Sequence, residues 1–175
     1  GDVYKRQHKR CLEICRQHDV LYISDEVVTA FGRLGEFFAS ESVFGIVPDI
    51  ITSAKGITSG YVPLGAVLIS DRLMAELTAD DRSEVLFSNG FTYSAHPVSC
   101  AAALKNIEIM EREEIFAHVR DITPYFQARL QELRRHDIVG DTRGMGLLGC
   151  VEGAAPSDSS EAKRLAVDKE FGYRL

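Results

Sequence analysis

Short apolar runs bounded by glycine, proline and aspartate fill the first half of the chain, and the hydrophobic period lengthens to that of helices in the second half. Residues His8 to His18 place Cys11, Leu12, Ile14 and Cys15 on one side and charges on the other, which predicts an amphipathic helix. Val20 to Ser24 is a continuous apolar run suited to a strand covered on both faces, and Ile50 to Ala54 and Ala66 to Ser70 read as further buried strands. Thr29 to Ser42, with Gly32 and Gly35, reads as loop and turn. Gly56 to Gly65, broken by Pro63, argues for close backbone packing rather than a helix. Asp71 begins a short helix. Pro97 suits a first helical turn, and Leu104, Ile107 and Met110 follow at helical spacing. Ile115, Val119, Ile122, Phe126, Leu130 and Leu133 recur at intervals of three and four, with Pro124 as a kink or a new start. Ile138 to Gly140 and Gly146 to Val151 predict strands beside a glycine-rich bend; Gly153 to Ser160 reads as a polar loop and Glu161 to Phe171 as a last helix. Short buried strands giving way to long helices predict an α/β layer that runs into a smaller α+β piece.

Composition narrows the field. The chain has 175 residues, 45% of them hydrophobic and 26% charged, with a formal charge of −6 from 20 basic and 26 acidic side chains. Such a chain offers no basic field to nucleic acid. It contains no apolar run of the roughly 20 residues that span a bilayer. Its four cysteines, Cys11, Cys15, Cys100 and Cys150, lack zinc or CxxC spacing, and reduced thiols in a cytoplasmic protein are the expectation. The opening Gly1-Asp2-Val3-Tyr4-Lys5-Arg6-Gln7 resembles translated adapter sequence, so residues 1–7 are set aside and the remainder is expected to be an internal piece of a larger protein.

Two side chains stand where chemistry would need them. Asp25 ends the first strand run and Lys55 ends the second, and ligands in open α/β sheets bind beyond the carboxyl ends of strands. An amine and a carboxylate so placed are what pyridoxal phosphate requires, the lysine for a Schiff base and the aspartate for the pyridinium nitrogen. A lysine partly desolvated there would have its pKa pulled down and become a usable nucleophile. Each residue also has a plainer reading, Asp25 as a strand terminator or helix N-cap and Lys55 as a solvated surface charge. Phe87 to Pro97, rich in small hydroxyl residues before a helix start, could receive an anion or could be a simple capped N-terminus. His96 is read as a capping residue before an acid or base, and Arg33 and Arg143 as salt-bridge partners or carboxylate receptors.

Taken together, ordered blocks of sequence carry a resemblance. They are Asp25-Glu26-Val27-Val28-Thr29-Ala30-Phe31-Gly32-Arg33, Pro48-Asp49-Ile50-Ile51, Ala54-Lys55-Gly56, Gly60 to Ala66, Thr92-Tyr93-Ser94-Ala95-His96-Pro97 and Arg143-Gly144-Met145-Gly146. In this order they resemble the class III (omega-amino-acid type) pyridoxal-phosphate-dependent aminotransferases. Ala30 stands where many relatives carry glycine.

The resemblance implies the large domain of a fold type I transferase, a partial, mixed, mostly parallel sheet with helices, over residues 8–112. Residues 113–175 would hold the connecting helix and the start of a small α+β C-terminal domain. It implies that Lys55 forms the Schiff base with pyridoxal 5′-phosphate, that Asp25 pairs with the ring nitrogen and that Val27 packs on the ring. Thr92 would bind the phosphate of the cofactor held by the other subunit of a homodimer, while Glu26 would support the site through hydrogen bonds. The implied reaction moves an amino group from an omega-amino acid or amine to a keto acid such as pyruvate. The phosphate-binding turn upstream and a substrate arginine downstream are expected outside this chain, which alone is expected to be inactive. The alternatives are an ornithine, 4-aminobutyrate or diamine aminotransferase or an aminomutase, and, outside the class, a non-catalytic α/β module or a gene remnant.

Overall fold

The computed structural model describes residues 2–78 and 90–153. The chain divides into two units, Gly1–Phe116 and Ala117–Leu175.

In the first unit, α1 (Asp2–Gln17) begins ahead of the expected His8. Cys11 and Cys15 share its side toward Tyr22, whose hydroxyl pKa is raised by burial, with the two thiols adding to the effect. Cys11 is nonetheless exposed. Three short strands follow: β1 (Ile23–Asp25), β2 (Ile50–Ser53) and β3 (Ala66–Ile69). Between β1 and β2 the chain makes tight turns and one short helix, α2 (Ala39–Ser42), where sequence predicted only loop. β2 is central, parallel to β1 with Asp25 opposite Thr52, and antiparallel to β3 with Thr52 opposite Val67.

The sheet is therefore mixed, but one pairing in two is antiparallel, against the mostly parallel expectation. The 54–65 segment contains a single 3-10 turn, Lys55–Thr58, and no helix to carry the chain back to the start of the sheet, so β3 returns antiparallel. The expectation of strands covered on both faces also fails. The register places Asp25, Thr52 and Val67 on the face that also holds Ile23, and Ile23 and Val67 remain 57% and 61% exposed. Among the described residues, no helix of this unit covers that face.

Asp49 anchors the start of β2. Its carboxylate is 2% exposed and accepts from the Tyr22 backbone N–H (2.8 Å), from Arg16 of α1 (2.6 Å) and from Arg72 of α3, Asp71–Thr78 (2.6 Å). Burial pushes its pKa up, but these hydrogen bonds and the Arg16 charge outweigh burial and hold it well below the usual carboxylate range. One buried charge thus ties two helices to the sheet. The apolar core lies elsewhere, in Ala30, Phe31 and Met110 with Phe37, Phe38, Ile57, Ile107, Ile115 and Phe116 packed around them. Phe37 meets Phe31 and Phe38 at ring centroid distances of 4.9 and 5.0 Å. Met110 and Ile107 come from α4 (Pro97–Arg112), which has Pro97 in its first turn as expected.

The helix α5 (Ile115–Glu132) runs through Pro124 without a break, against the alternative of a new start. After a 3-10 turn at Leu133–Arg135 come β4 (Val139–Met145) and β5 (Leu148–Gly153), an antiparallel hairpin. The expected glycine-rich bend shrinks to Gly146-Leu147, with Gly146 at φ +58°, while Thr142 to Met145 belong to β4. Glycine at the first position of a two-residue turn suits a type II′ hairpin. Gln127 of α5 donates its amide hydrogens to the carbonyls of Gly146 (2.8 Å) and Leu148 (3.0 Å), and Gln131 exchanges hydrogen bonds with Thr142. The expected loop after Gly153 and the helix Glu161–Phe171 lie outside the described residues. Among the described residues no helix is long and apolar enough to cross a membrane.

Candidate active site

Side chains alternate along a strand, so the last residues of β1 face opposite ways. Glu26 points inward and is 1% exposed. It accepts hydrogen bonds from the Ala39 N–H (2.7 Å), the Ser40 N–H (2.8 Å), the Ser40 hydroxyl (2.6 Å) and the Thr29 hydroxyl (3.2 Å). Four donors compensate the desolvation of a buried carboxylate, and two of them are amides at the start of α2. The role of Glu26 is therefore structural, joining the β1 exit to the crossover. Its backbone N–H also reaches the Thr52 carbonyl (2.8 Å), which extends the β1–β2 ladder by one step.

Asp25 lies on the open side and is exposed. Its Oδ1 accepts from the Val27 N–H (3.0 Å), an Asx-type turn that fixes the carboxylate, while no described residue donates to Oδ2. Val27 is half-buried within this turn. Asp25 is thus oriented with one oxygen spare.

At the neighbouring exit, β2 ends on Ser53, and Lys55 opens the 3-10 turn. Because β1 and β2 are parallel, with Asp25 opposite Thr52, the carboxylate and the amine leave the sheet at the same end. Lys55 has φ +43°, a left-handed conformation that a lysine adopts only where its surroundings impose it. Three contacts impose it. A Cβ on Gly56 would lie 2.8 Å from Phe31 Cβ, so the turn rests flush on the core. The Thr58 hydroxyl donates to the Val62 carbonyl (2.7 Å). Asn106 of α4 donates to the Gly56 (2.9 Å) and Ile57 (3.1 Å) carbonyls, and its Oδ1 accepts from the Ser59 hydroxyl (2.7 Å).

Among the described residues nothing covers Lys55, which is exposed. Thr92 lies in an exposed turn ahead of α4 and makes no hydrogen bond to Asp25, Val27 or Lys55. The expected stretch Phe87 to Asn89 lies outside the described residues. His96 behaves as a cap, its Nδ1 accepting from the Val98 N–H (3.3 Å). Arg143 is engaged with Glu152 (2.6 Å) and Asp141 (2.8 Å), and those partners raise its guanidinium pKa above the usual value. Arg33 is exposed, with no ion pair among the described residues.

The structure thus brings three of the expected residues, Lys55, Asp25 and Val27, to two adjoining strand exits. Sequence reasoning missed the residues beneath it, Asn106 and Phe31. An inward amide between Ala103 and Ile107 on an otherwise apolar helix face was the available signal for Asn106.

A free amine beside a carboxylate with one oxygen spare is the donor set a pyridoxal-type group needs, so these residues fit it. The comparisons with known proteins point the same way. The family model for aminotransferase class-III matches residues 5–171. A probable aminotransferase of Mycobacterium tuberculosis is 48% identical over 144 residues, 82% of this chain and 30% of that protein. Putrescine–pyruvate aminotransferase of Pseudomonas aeruginosa is 44% identical over 141 residues, 80% of this chain and 30% of its own length. Among solved structures, an amine transaminase from an uncultivated Pseudomonas species, in its PLP-bound form, superposes with a TM-score of 0.84 at 36% identity, covering 96% of this chain and 37% of that one. The chain therefore spans about 30% of the length of the curated relatives it matches.

Proposed function

The chain belongs to the class-III aminotransferases, a pyridoxal-phosphate-dependent family, and from that premise we propose that its protein transfers an amino group from an omega-amino acid or amine to a keto acid such as pyruvate. The observation that carries this reading is the shared end of β1 and β2, where Asp25 and Lys55 emerge side by side.

Bound pyridoxal phosphate supplies an electron sink for the charge that develops on the donor carbon when its proton leaves. Lys55 Nζ would hold the cofactor covalently, and its amine is the group placed to take the proton from the donor carbon. Asp25 would partner the ring nitrogen of the bound group, where a carboxylate favours the protonated nitrogen and so deepens the sink. The Asx turn through Val27 fixes the orientation of the carboxylate, and the Val27 side chain would pack on the ring. Thr92 would serve the phosphate of the cofactor in a second copy of the protein, and the working unit would then be a homodimer. The names of the relatives support an amine donor, and putrescine–pyruvate aminotransferase supports a diamine as the second reading. Four free thiols support a reducing, cytoplasmic setting.

The test is alanine formation from pyruvate by the full-length protein over a panel of omega-amino acids, diamines and arylalkylamines. Donor-dependent alanine that disappears in Lys55→Ala is expected. Alanine formation retained by Lys55→Ala would remove the lysine from the mechanism.

A further inference from the structure

Residues 55–61 form a turn in which backbone amides serve the carbonyls of Lys55, Gly56 and Thr58, while that of Ile57 takes a side-chain donor. The backbone supplies Ser59 N–H to the Gly56 carbonyl and Gly60 N–H to the Lys55 carbonyl, each at 3.1 Å, and Tyr61 N–H to the Thr58 carbonyl at 3.1 Å. The Ile57 carbonyl is served by Asn106, whose amide also takes a second hold on the Gly56 carbonyl. Two residues here sit in the left-handed region without being glycine, Lys55 at φ +43° and Ser59 at φ +50°. Asn106 touches both ends of that strained stretch: its amide hydrogens bind the carbonyls next to Lys55, and its oxygen takes the hydroxyl of Ser59. The Asn106 side chain is half-buried and anchored on α4, whose neighbouring Ile107 and Met110 are locked into the core.

We propose that Asn106 is a positioning residue for Lys55, holding the strained turn so that the lysine amine is presented at the β2 exit beside Asp25. This rests on the function proposed above. Asn106 lies far from the reacting atoms in sequence and acts only through the backbone that carries them. A fixed origin matters for a long flexible side chain, since a displacement of about 1 Å can cost on the order of a hundredfold in rate.

The test compares covalent with non-covalent cofactor binding in the full-length protein. Covalent capture of pyridoxal 5′-phosphate joins Lys55 Nζ to the aldehyde carbon as C=N, and the aldehyde oxygen leaves as water. Pyridoxine 5′-phosphate has an alcohol in place of the aldehyde and can only bind. Asn106→Asp keeps the size and the acceptor for Ser59 but loses both donors to the turn. It is expected to slow capture on Lys55 roughly 10- to 100-fold and to lower kcat more than it changes KM, with pyridoxine 5′-phosphate affinity within about threefold. Asn106→Ser, with one short donor, should recover part of the rate. Equal weakening of both ligands, or unchanged capture, would overturn the proposal while leaving Lys55 in its role. Should Asn106→Asp not fold, amide exchange of Ser59, Gly60 and Tyr61 in Asn106→Ser decides: faster exchange confined to these amides supports the brace, and unchanged exchange removes it. If the unaltered protein captures cofactor on lysines other than Lys55, the function itself falls and this proposal with it.

Discussion

Two turns in this chain are held by the same device and serve different ends. At the β2 exit, Asn106 of α4 donates to the carbonyls of Gly56 and Ile57; at the β4–β5 hairpin, Gln127 of α5 donates to those of Gly146 and Leu148. Each is an amide reaching from a helix to satisfy a bend that the backbone cannot satisfy alone. The difference is which residue takes the left-handed conformation. In the hairpin it is Gly146, φ +58°, which adopts it without steric penalty. At the β2 exit they are Lys55, φ +43°, and Ser59, φ +50°, both with a Cβ and the first with a reactive amine. A relaxed turn needs its amide for stability only. A strained turn bearing a nucleophile needs it to keep the nucleophile in place, and strain of this kind, of order 1–3 kcal/mol, is concentrated where function demands it.

The contrast breaks most visibly at Gly56. A methyl group there would lie 2.8 Å from Phe31 Cβ, an atom tied to its own backbone, so Gly56→Ala must displace the turn. Turnover is expected to fall by about a hundredfold, read by steady-state kinetics, with a smaller loss in denaturant midpoint. Asp25→Asn comes next. It keeps the shape of the Asx turn but removes the charge facing the ring nitrogen, and turnover should drop by roughly tenfold to a hundredfold while cofactor binding, followed by absorbance, persists.

The remaining substitutions act on stability. Asp49→Asn leaves Arg16 and Arg72 without their shared carboxylate. The loss should be about 2 kcal/mol in urea unfolding at neutral pH, below the usual figure for a buried pair because both guanidinium groups are half-exposed. The folded pKa of Asp49 is depressed, so this contribution is fully present above the unfolded value of about 4 and is lost as pH falls toward the folded value. The gap between the original protein and Asp49→Asn should therefore close in acid. Gly144→Ala would set a methyl 2.6 Å from the Leu148 carbonyl oxygen, and roughly 1–2 kcal/mol of destabilisation is expected in the same assay. Gln127→Leu is the mildest, at about 1 kcal/mol, since the freed carbonyls lie near the surface of the hairpin.

Much of this was legible in the sequence, for reasons that differ by residue. The runs Ile50 to Ser53 and Ala66 to Ile69 became strands because continuous apolar residues between glycine and aspartate allow little else, and Pro97 opened its helix because its fixed φ suits that position. Asp25 and Lys55 stood out because a charged residue ending an apolar run marks a strand exit. Arg143-Gly144-Met145-Gly146 misled, since its two glycines suggested a bend. Gly144 is instead a packing glycine inside β4, kept bare by Gln127 and the Leu148 carbonyl. Asn106 could not be placed because its partners, Gly56 and Ile57, are distant in sequence and its role exists only once α4 has packed against their turn. Exposure of the strand face escaped notice for the same reason. Apolar residues announce that a strand wants cover, not whether cover is present.

The most direct measurement is borohydride reduction of the full-length protein with pyridoxal phosphate, followed by peptide mass mapping. The reduced cofactor is expected on the peptide that carries Lys55, with no such adduct in Lys55→Ala. Adducts spread over surface lysines, or one that survives in Lys55→Ala, would contradict the assignment to Lys55.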